Sequence, residues 1–375
     1  MRLLMVSGDR QVAIGERGPF ATLLHEFARH FERIDVLCPR PPKPATVAVV
    51  EGHVHLHAAP VGRSRMAAWI AEEGARLIAE HEHALVTSHD YGWFYNGIGS
   101  ARLSAATGVP YVSEIHHVPG HPVAADWRER FDQRVARTYV RWARTRAAAF
   151  RVVNHVEMPE LLVRWGVPRE KILVLPSLYI DFDTFRPVEP APKHEVDVCF
   201  VGRMVANKGL DRIVDAIALL GRAGTKLSVL FVGKGPLQAA VRARAAKAGI
   251  DARFVDWVES AADLAAIYRT SRVVVCASTC EGGPRFTVEA MACGTPVVST
   301  RVGVMGELLS DGLNGRFAGF DVESLSAAIE ETLRDENARV RLGEAGRLSV
   351  QHCERVRTIR GYADGLKAVA ARSAS

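Results

Sequence analysis

The stretch Ser278-Thr-Cys-Glu-Gly-Gly-Pro-Arg-Phe-Thr-Val-Glu-Ala-Met-Ala-Cys-Gly-Thr-Pro-Val-Val298 changes character several times within a short span. The apolar run before it, Arg272-Val-Val-Val-Cys-Ala, reads as a buried strand. Gly282 and Gly283 permit a tight turn and close backbone approach. A helix is expected from about Pro284, because proline is tolerated in a first helical turn. Pro296-Val-Val-Ser then reads as the next strand. Strand, turn, helix and strand make one unit of a parallel α/β sheet. The N–H groups at the start of such a helix lack intrahelical partners and point outward, which suits a phosphate. Glu281 stands before the turn and can accept from sugar hydroxyls. Glu289, about a turn and a half into the helix, can accept from a ribose diol. Two carboxylates could also suggest a glycosidase acid and nucleophile, and either glutamate alone reads as decoration of a helix.

The neighbouring strands add context. Val196-Asp-Val-Cys-Phe-Val reads as a strand that ends at Gly202, and Arg203 and Lys208 sit in the loop before the helix Leu210 to Leu220. Two cations in a strand-to-helix loop suit a diphosphate: arginine grips it in bidentate fashion and lysine adds a point charge. Phe231-Val-Gly-Lys-Gly-Pro, with Gly233, follows another strand. It is neither a Walker loop nor the dinucleotide Gly-x-Gly-x-x-Gly pattern, and alone it reads as a packing turn.

The first half alternates in the same way. Leu3-Leu-Met-Val-Ser, Ile34-Asp-Val-Leu-Cys, Ala84-Leu-Val-Thr-Ser, Tyr111-Val-Ser-Glu-Ile and Phe150-Arg-Val-Val read as strands, and Phe20 to Phe31 as a helix. Lys171-Ile-Leu-Val-Leu-Pro closes the series, and the turn-rich stretch Asp181 to Lys193 reads as a linker. The fold expected is two doubly wound, Rossmann-like α/β domains with parallel sheets, at 1–185 and 186–352. Ligands of such sheets bind beyond the carboxyl ends of the strands, so the cleft between two facing domains is the expected site.

The 375 residues are enough for two domains, and 48% hydrophobic with 24% charged residues is the balance of an ordinary globular protein. Only the tail Ala371 to Ser375 reads as disordered. A net charge of +6 without a dense basic face argues against nucleic-acid binding. Six scattered cysteines with no Cys-x-x-Cys pair read as reduced and mostly buried. The N-terminus is too short in apolar residues for a signal peptide, and no run approaches a membrane span. A cytoplasmic protein is expected, with peripheral membrane contact left open.

Glu281 and Glu289, followed by Ala290-Met-Ala-Cys-Gly-Thr-Pro-Val-Val, resemble the Glu-x7-Glu signature of the family 4 retaining glycosyltransferases of the GT-B fold. Val201-Gly-Arg-Met with Asn207-Lys-Gly is similar to that family's diphosphate-binding loop. Leu309-Ser-Asp-Gly-Leu-Asn-Gly-Arg-Phe is similar to its post-helix turn, and Val174 to Pro187 resembles its inter-domain stretch. The resemblance implies roles. Arg203 and Lys208 would neutralise the leaving diphosphate, Glu281 would hold the donor sugar and Glu289 the ribose. Backbone near Gly282, Gly283, Pro284, Arg285 and Phe286 would help grip sugar and phosphate, with Gly202 and Gly233 beside them. Pro110-Tyr-Val-Ser-Glu-Ile-His-His resembles the strand ending in an active-site histidine, here His116. The first loop, Gly15-Glu-Arg-Gly-Pro-Phe, leaves only Gly18 to approach the donor phosphate, where the family has a glycine pair. The last helix, about 353–370, would cross back to the first domain.

The implied chemistry is sugar transfer with retention from a nucleotide sugar to a carbohydrate or glycolipid acceptor, in polysaccharide, lipopolysaccharide or glycolipid assembly. No cofactor and no metal are expected: Asp181-Phe-Asp183 matches the letters of an Asp-x-Asp metal motif but lies in the linker. The alternatives are another GT-B enzyme, such as a nucleotide-sugar epimerase or a phosphorylase, and a non-catalytic sugar-nucleotide binding protein.

Two weaker signals remain. His53, His55 and His57 alternate and would share one face of a strand, better read as a surface strand than as a metal site. Arg130, Arg134, Arg137, Arg141 and Arg144 recur at helical spacing beside Phe131, Val135, Thr138 and Trp142. They read as a solvated face or as a contact with anionic lipid at the inner face of the cytoplasmic membrane.

Overall fold

Strongly apolar segments of four to six residues leave little room for anything but buried parallel strands, and the structure is built on two such sheets. It is a computed structural model and describes residues 1–16 and 18–374. The chain divides into two compact units. One comprises Met1–Val118, Phe131–Ser177 and Val356–Ser375, and the other Pro119–Arg130 and Leu178–Arg355.

The first unit holds eight strands: β1 (Arg2–Val6), β2 (Arg33–Cys38), β3 (Val49–Val50), β4 (Val54–Ala58), β5 (Leu85–His89), β6 (Tyr111–Glu114), β7 (Ala149–Val152) and β8 (Ile172–Val174). Their order is β3-β4-β2-β1-β5-β6-β7-β8, and every pairing is parallel except β3 with β4. The chain reverses its winding between β1 and β5, and their carboxyl ends flank the crevice where ligands of this fold bind. Leu4, Val6, Val86, Tyr111 and Phe150 pack with helix residues such as Ile70 and Leu103. Gly74 and Gly99 allow the helices Met66–His81 and Tyr95–Thr107 to meet closely: a Cβ on Gly99 would lie 2.8 Å from Ile70.

The second unit has β9 (Val196–Val201), β10 (Ser228–Val232), β11 (Asp251–Val255), β12 (Ser271–Cys276), β13 (Val297–Thr300) and β14 (Arg316–Ala318). Their order, β11-β10-β9-β12-β13-β14, is wholly parallel, with its switch between β9 and β12. Both expected Rossmann-like sheets are therefore present. Strands β11 and β14 lay outside the strand expectations, because Asp251-Ala-Arg-Phe-Val and Arg316-Phe-Ala carry too little apolar signal. The helix Val322–Arg334 starts on Asp321, whose side chain accepts from the Ser324 amide at 2.7 Å.

Three boundaries differ from the sequence reading. The first unit closes at Ser177 rather than 185, because Leu178, Ile180 and Phe185 are buried in the second unit's core. Residues 119–130 cluster with the second unit, where the Val123 amide donates to the Thr279 carbonyl. The last helix runs Arg355–Ala374, so the expected disordered tail is helical through residue 374 and Ser375 lies outside the described residues. All six cysteines are buried and free. Among the described residues no helix is long and apolar enough to cross a membrane.

Candidate functional site

In the second unit the two loops that leave the switch point are β9 to the helix Leu210–Arg222 and β12 to the helix Arg285–Ala292. Glycine shapes the first. Gly202 has φ 151° and Gly233, at the end of β10, has φ 124°, conformations that L side chains rarely adopt. A Cβ on Gly233 would run into the Gly202 carbonyl, and one on Gly235 into the Met204 backbone. The loops lock together through Gly202 N–H to Val232 O at 2.9 Å and Met204 N–H to Lys234 O at 2.8 Å. Gly233 is thus first a packing residue that lets two strand-end loops touch. Arg203, beside it, is exposed, and its guanidinium has no partner among the described residues.

The second loop gathers the rest. Asn207 donates from Nδ2 to Cys280 O at 3.0 Å, and Thr279 N–H donates to Asn207 O at 2.8 Å. These two bonds pin the cationic loop against Ser278–Glu281. Lys208 Nζ forms a close ion pair with Glu281 Oε1, which also accepts from Ser278 Oγ at 2.8 Å. The sequence assigned Lys208 to a diphosphate and Glu281 to a sugar; here they neutralise each other. The reason is electrostatic: two mostly buried opposite charges at adjoining strand ends pair unless something else satisfies them.

Beyond Glu281, the N–H groups of Gly282, Gly283, Arg285 and Phe286 donate to no acceptor among the described residues. The helix Arg285–Ala292 begins at Pro284 without a side-chain cap or an acidic residue in its first turn. Among the described residues no side chain caps that positive end and no acidic residue of the first turn compensates it. Gly282 accepts from the Val304 amide at 3.1 Å, and Gly303 approaches so closely that a Cβ would meet the Glu281 and Gly282 carbonyls. Arg285 donates to Tyr179 O at 2.9 Å and stacks over the Tyr179 ring, 4.3 Å from its centre, so it braces the turn.

Glu289 lies in the interior of the second unit. It is 7% exposed and accepts from the Tyr268 hydroxyl at 2.9 Å. Burial lifts its carboxyl to about 7, against the opposing pull of Arg285 and of the Tyr268 bond. It is a buried acid with a raised pKa rather than a solvated carboxylate on a helix surface.

In the first unit a different set gathers at the carboxyl ends of β5, β6 and β7, next to the switch point. His116 follows β6, and its ring stacks on His89 at the end of β5 with centres 4.7 Å apart. Arg151 of β7 donates to His116 Nε2 at 3.1 Å and to Glu114 at 3.3 Å. Burial, then His89, Arg151 and His117, holds the His116 imidazole well below the usual histidine range. Asp90 is buried beside them and accepts from Ser88 at 2.6 Å, from Tyr139 at 2.6 Å and from Ser113. Burial, outweighing these bonds, raises it to about 7. Sequence reasoning named His116 but missed Arg151 and Glu114; the signal was a charge inside each of two apolar strands. Gly18 caps the helix Pro19–Phe27 in extended backbone, with open space where a Cβ would be. The preceding Arg17 lies outside the described residues.

The weaker signals resolve into structure. His57 donates to Asp35 at 2.7 Å, as does His83 at 2.8 Å, and His53 meets Ala28 O. Arg144 lies past the end of the helix Trp127–Ala143 and donates to Gly166 O. Asp181 pairs with Arg355 and Thr184, inside the stretch read as a linker.

Residues 181–349 match the family described as glycosyl transferases group 1, and residues 20–177 match a glycosyl transferase 4-like domain. The chain is 29% identical over 281 residues to the D-inositol 3-phosphate glycosyltransferase of Pseudarthrobacter chlorophenolicus, covering 70% of this chain and 66% of that protein. It is 32% identical over 230 residues to the protein of the same name in Segniliparus rotundus, covering 57% of this chain and 50% of the relative. The chain thus spans one half to two thirds of the length of these two curated relatives. Among solved structures, sucrose-phosphate synthase from Thermosynechococcus elongatus superposes with a TM-score of 0.80 at 20% identity, covering all of both chains. Anabaena HepE in complex with UDP and glucose gives a TM-score of 0.76 at 17% identity, over 98% of this chain and 100% of that one. These likenesses show a shared GT-B fold.

Proposed function

Because this chain belongs to the glycosyl transferases group 1 family, we propose that it transfers a sugar, with retention, from a nucleoside-diphosphate sugar to a carbohydrate or glycolipid acceptor. The observation that carries the reading is the turn Glu281–Phe286. It sets N–H groups that no described residue accepts from at an uncapped helix start beside the Lys208–Glu281 pair, and the loop that carries Lys208 also carries Arg203, whose guanidinium meets no described residue. A diphosphate supplies what this arrangement lacks: anionic oxygens for the helix start, for Arg203 and for Lys208.

Binding then follows as an exchange. Lys208 leaves Glu281 for the phosphate, and Glu281 is released to accept from the donor sugar's hydroxyls. The barrier in such a transfer is departure of the nucleoside diphosphate. Cationic groups already placed around the developing charge lower that barrier without reorganisation. Arg203, Lys208 and the helix start are assigned this role, without a metal. Glu289 is assigned to the ribose, and Gly202, Gly233, Gly282 and Gly283 to close backbone approach. Gly18 and His116 are the first unit's candidates. Solved structures of the similar Anabaena HepE hold UDP with glucose, or UDP-glucose, which supports a nucleotide-sugar donor.

On the acceptor side, a groove of about 630 Å³ in the first unit is lined by Trp93, Phe131 and Trp142, with Arg102 and Arg134 at its margin. Apolar walls beside cations support a glycolipid acceptor or peripheral contact with an anionic membrane at its cytoplasmic face. Sedimentation with anionic vesicles tests this: binding that survives replacement of Arg134, Arg137 and Arg141 by Gln rules out the electrostatic contact.

A thermal-shift screen across UDP-, GDP- and ADP-sugars, followed by product analysis by mass spectrometry, tests the function. A donor that raises the melting temperature and is hydrolysed or transferred, with turnover lost in Glu281→Ala, supports it. Binding without turnover for every donor and acceptor supports a non-catalytic binding protein instead.

A further inference from the structure

Among the described residues, Arg151 is the largest side chain that is fully buried. Its Nε donates to Leu175 O at 3.0 Å and its Nη2 to Pro176 O at 3.4 Å. Its Nη1 donates both to Glu114 Oε2 at 3.3 Å and to His116 Nε2 at 3.1 Å. The guanidinium lies 3.6 Å from the centre of the Tyr362 ring, whose hydroxyl donates to the other Glu114 oxygen. Tyr362 belongs to the last helix, so the end of the chain closes this cluster.

A guanidinium has only donors and keeps its charge in proteins. The histidine nitrogen facing it must therefore accept. If Nε2 is an acceptor, the proton of a neutral imidazole sits on Nδ1. The charged and titratable groups around the ring agree. They are His89 from β5, Glu114 and His117 from its own segment, Arg151 from β7, and Tyr362 behind Arg151. Both Glu114 oxygens are taken by Arg151 and Tyr362, so no carboxylate is left to hold a second proton on Nε2. Nδ1 has no partner among the described residues, and the ring is half-buried.

We infer that Arg151 is the positioning residue of His116: it fixes the imidazole in its neutral Nδ1–H form, so that His116 offers its ligand a hydrogen-bond donor and not a base. The inference rests on the reading of His116 as a site residue. The class of ligand atom follows: an acceptor oxygen, such as a sugar hydroxyl or a phosphate oxygen. Proton abstraction through Nε2 is blocked, because Arg151 occupies that lone pair.

Two measurements on the full chain decide this. The first is long-range proton–nitrogen NMR of protein labelled with ¹⁵N-histidine, with His116 assigned by comparison with H116N. The expected spectrum has Nδ1 protonated and Nε2 bare at neutral pH. An Nε2–H form or an imidazolium overturns the proposal. In R151M, and in R151M/E114Q where no carboxylate is left buried without its partner, the Nδ1–H signature should give way to a mixture. Its persistence in a double variant that melts cooperatively overturns the role of Arg151.

The second uses side-chain geometry. The amide nitrogen of an asparagine sits on Cγ, as Nδ1 does; that of a glutamine reaches the place of Nε2. H116N should keep turnover within about tenfold of the parent, while H116Q loses about a hundredfold or more, because its amide meets Arg151. Equal losses in the two variants overturn the donor role. Absence of turnover with any donor defeats the transferase reading, but the NMR experiment still decides what Arg151 does.

Discussion

Lys208 and Glu281 each lose a partner when a ligand engages the other, so the two should act as a unit. Replacing Lys208 with Met leaves Glu281 with Ser278 alone and deprives the diphosphate of a cation. Turnover should fall by roughly a hundredfold or more, about the cost of removing one electrostatic stabiliser from a preorganised site. The double variant with Glu281→Ala should cost far less than the sum of the two single losses. Arg203 provides a contrast. Since no described residue meets its guanidinium, Arg203→Ala should shift stability by no more than about 0.5 kcal/mol. Calorimetric titration should nonetheless show donor affinity reduced about tenfold or more, the worth of a charged hydrogen bond. At Glu289 the test is pH. Tyr268→Phe removes the bond that favours its ionised form, so the carboxyl should rise further above about 7. Denaturant unfolding should show this variant losing about 1 kcal/mol near pH 8 and less near pH 6, where the neutral acid dominates in both proteins.

At the scale of elements, the strand-end turns depend on backbone that no side chain can follow. Gly233 is the clearest case, with φ 124° and the Gly202 carbonyl where a Cβ would sit. Gly233→Ala should destabilise by about 1–3 kcal/mol from strain, and more if β9 and β10 must separate. Because the same change displaces Arg203, donor affinity should fall with it, and melting and titration curves together check both. Sequence reading recognised this loop only as a turn. The reason is that a glycine motif specifies local freedom, whereas contact with a neighbouring turn depends on sheet order. The helix Arg285–Ala292 was the opposite case. Its start near Pro284 could be read from a proline after two glycines, and the unpaired N–H groups follow from helix geometry alone.

At the scale of the whole molecule, each unit carries a buried acid at about 7: Asp90 in the first and Glu289 in the second. Both are raised above the ordinary carboxylate value near 3.9–4.3. A raised acid stabilises the folded state below its unfolded value and loses that contribution as pH rises through its folded one. Stability should therefore decline between about pH 4 and pH 7 from these two groups, at up to about 1.4 kcal/mol per pH unit for each. Asp90→Asn should flatten that decline by one group's share, as measured by urea unfolding across the range. Asp35 has the opposite sign. Its burial is outweighed by bonds from His57, His83 and Arg33, which hold it below the usual carboxylate range. Its contribution is present at neutral pH and is lost only in strong acid.

The alternation of apolar strands with helices determined, without any coordinates, that this chain forms two parallel α/β sheets. The pattern is local, and burial of both sheet faces leaves no other solution for such runs. It also determined that Arg203, Lys208, Glu281 and the turn after Glu281 lie at strand ends, because each follows its strand directly. Tertiary structure decided what sequence spacing does not encode. It assigned Leu178–Phe185 to the second core, paired Lys208 with Glu281 across 73 residues, and sealed Glu289 against Tyr268. It also brought Arg151 to His116 and Tyr362 to Glu114. Charge pairing and burial depend on which strands become neighbours, and that order is a property of the folded sheet, not of any stretch of sequence.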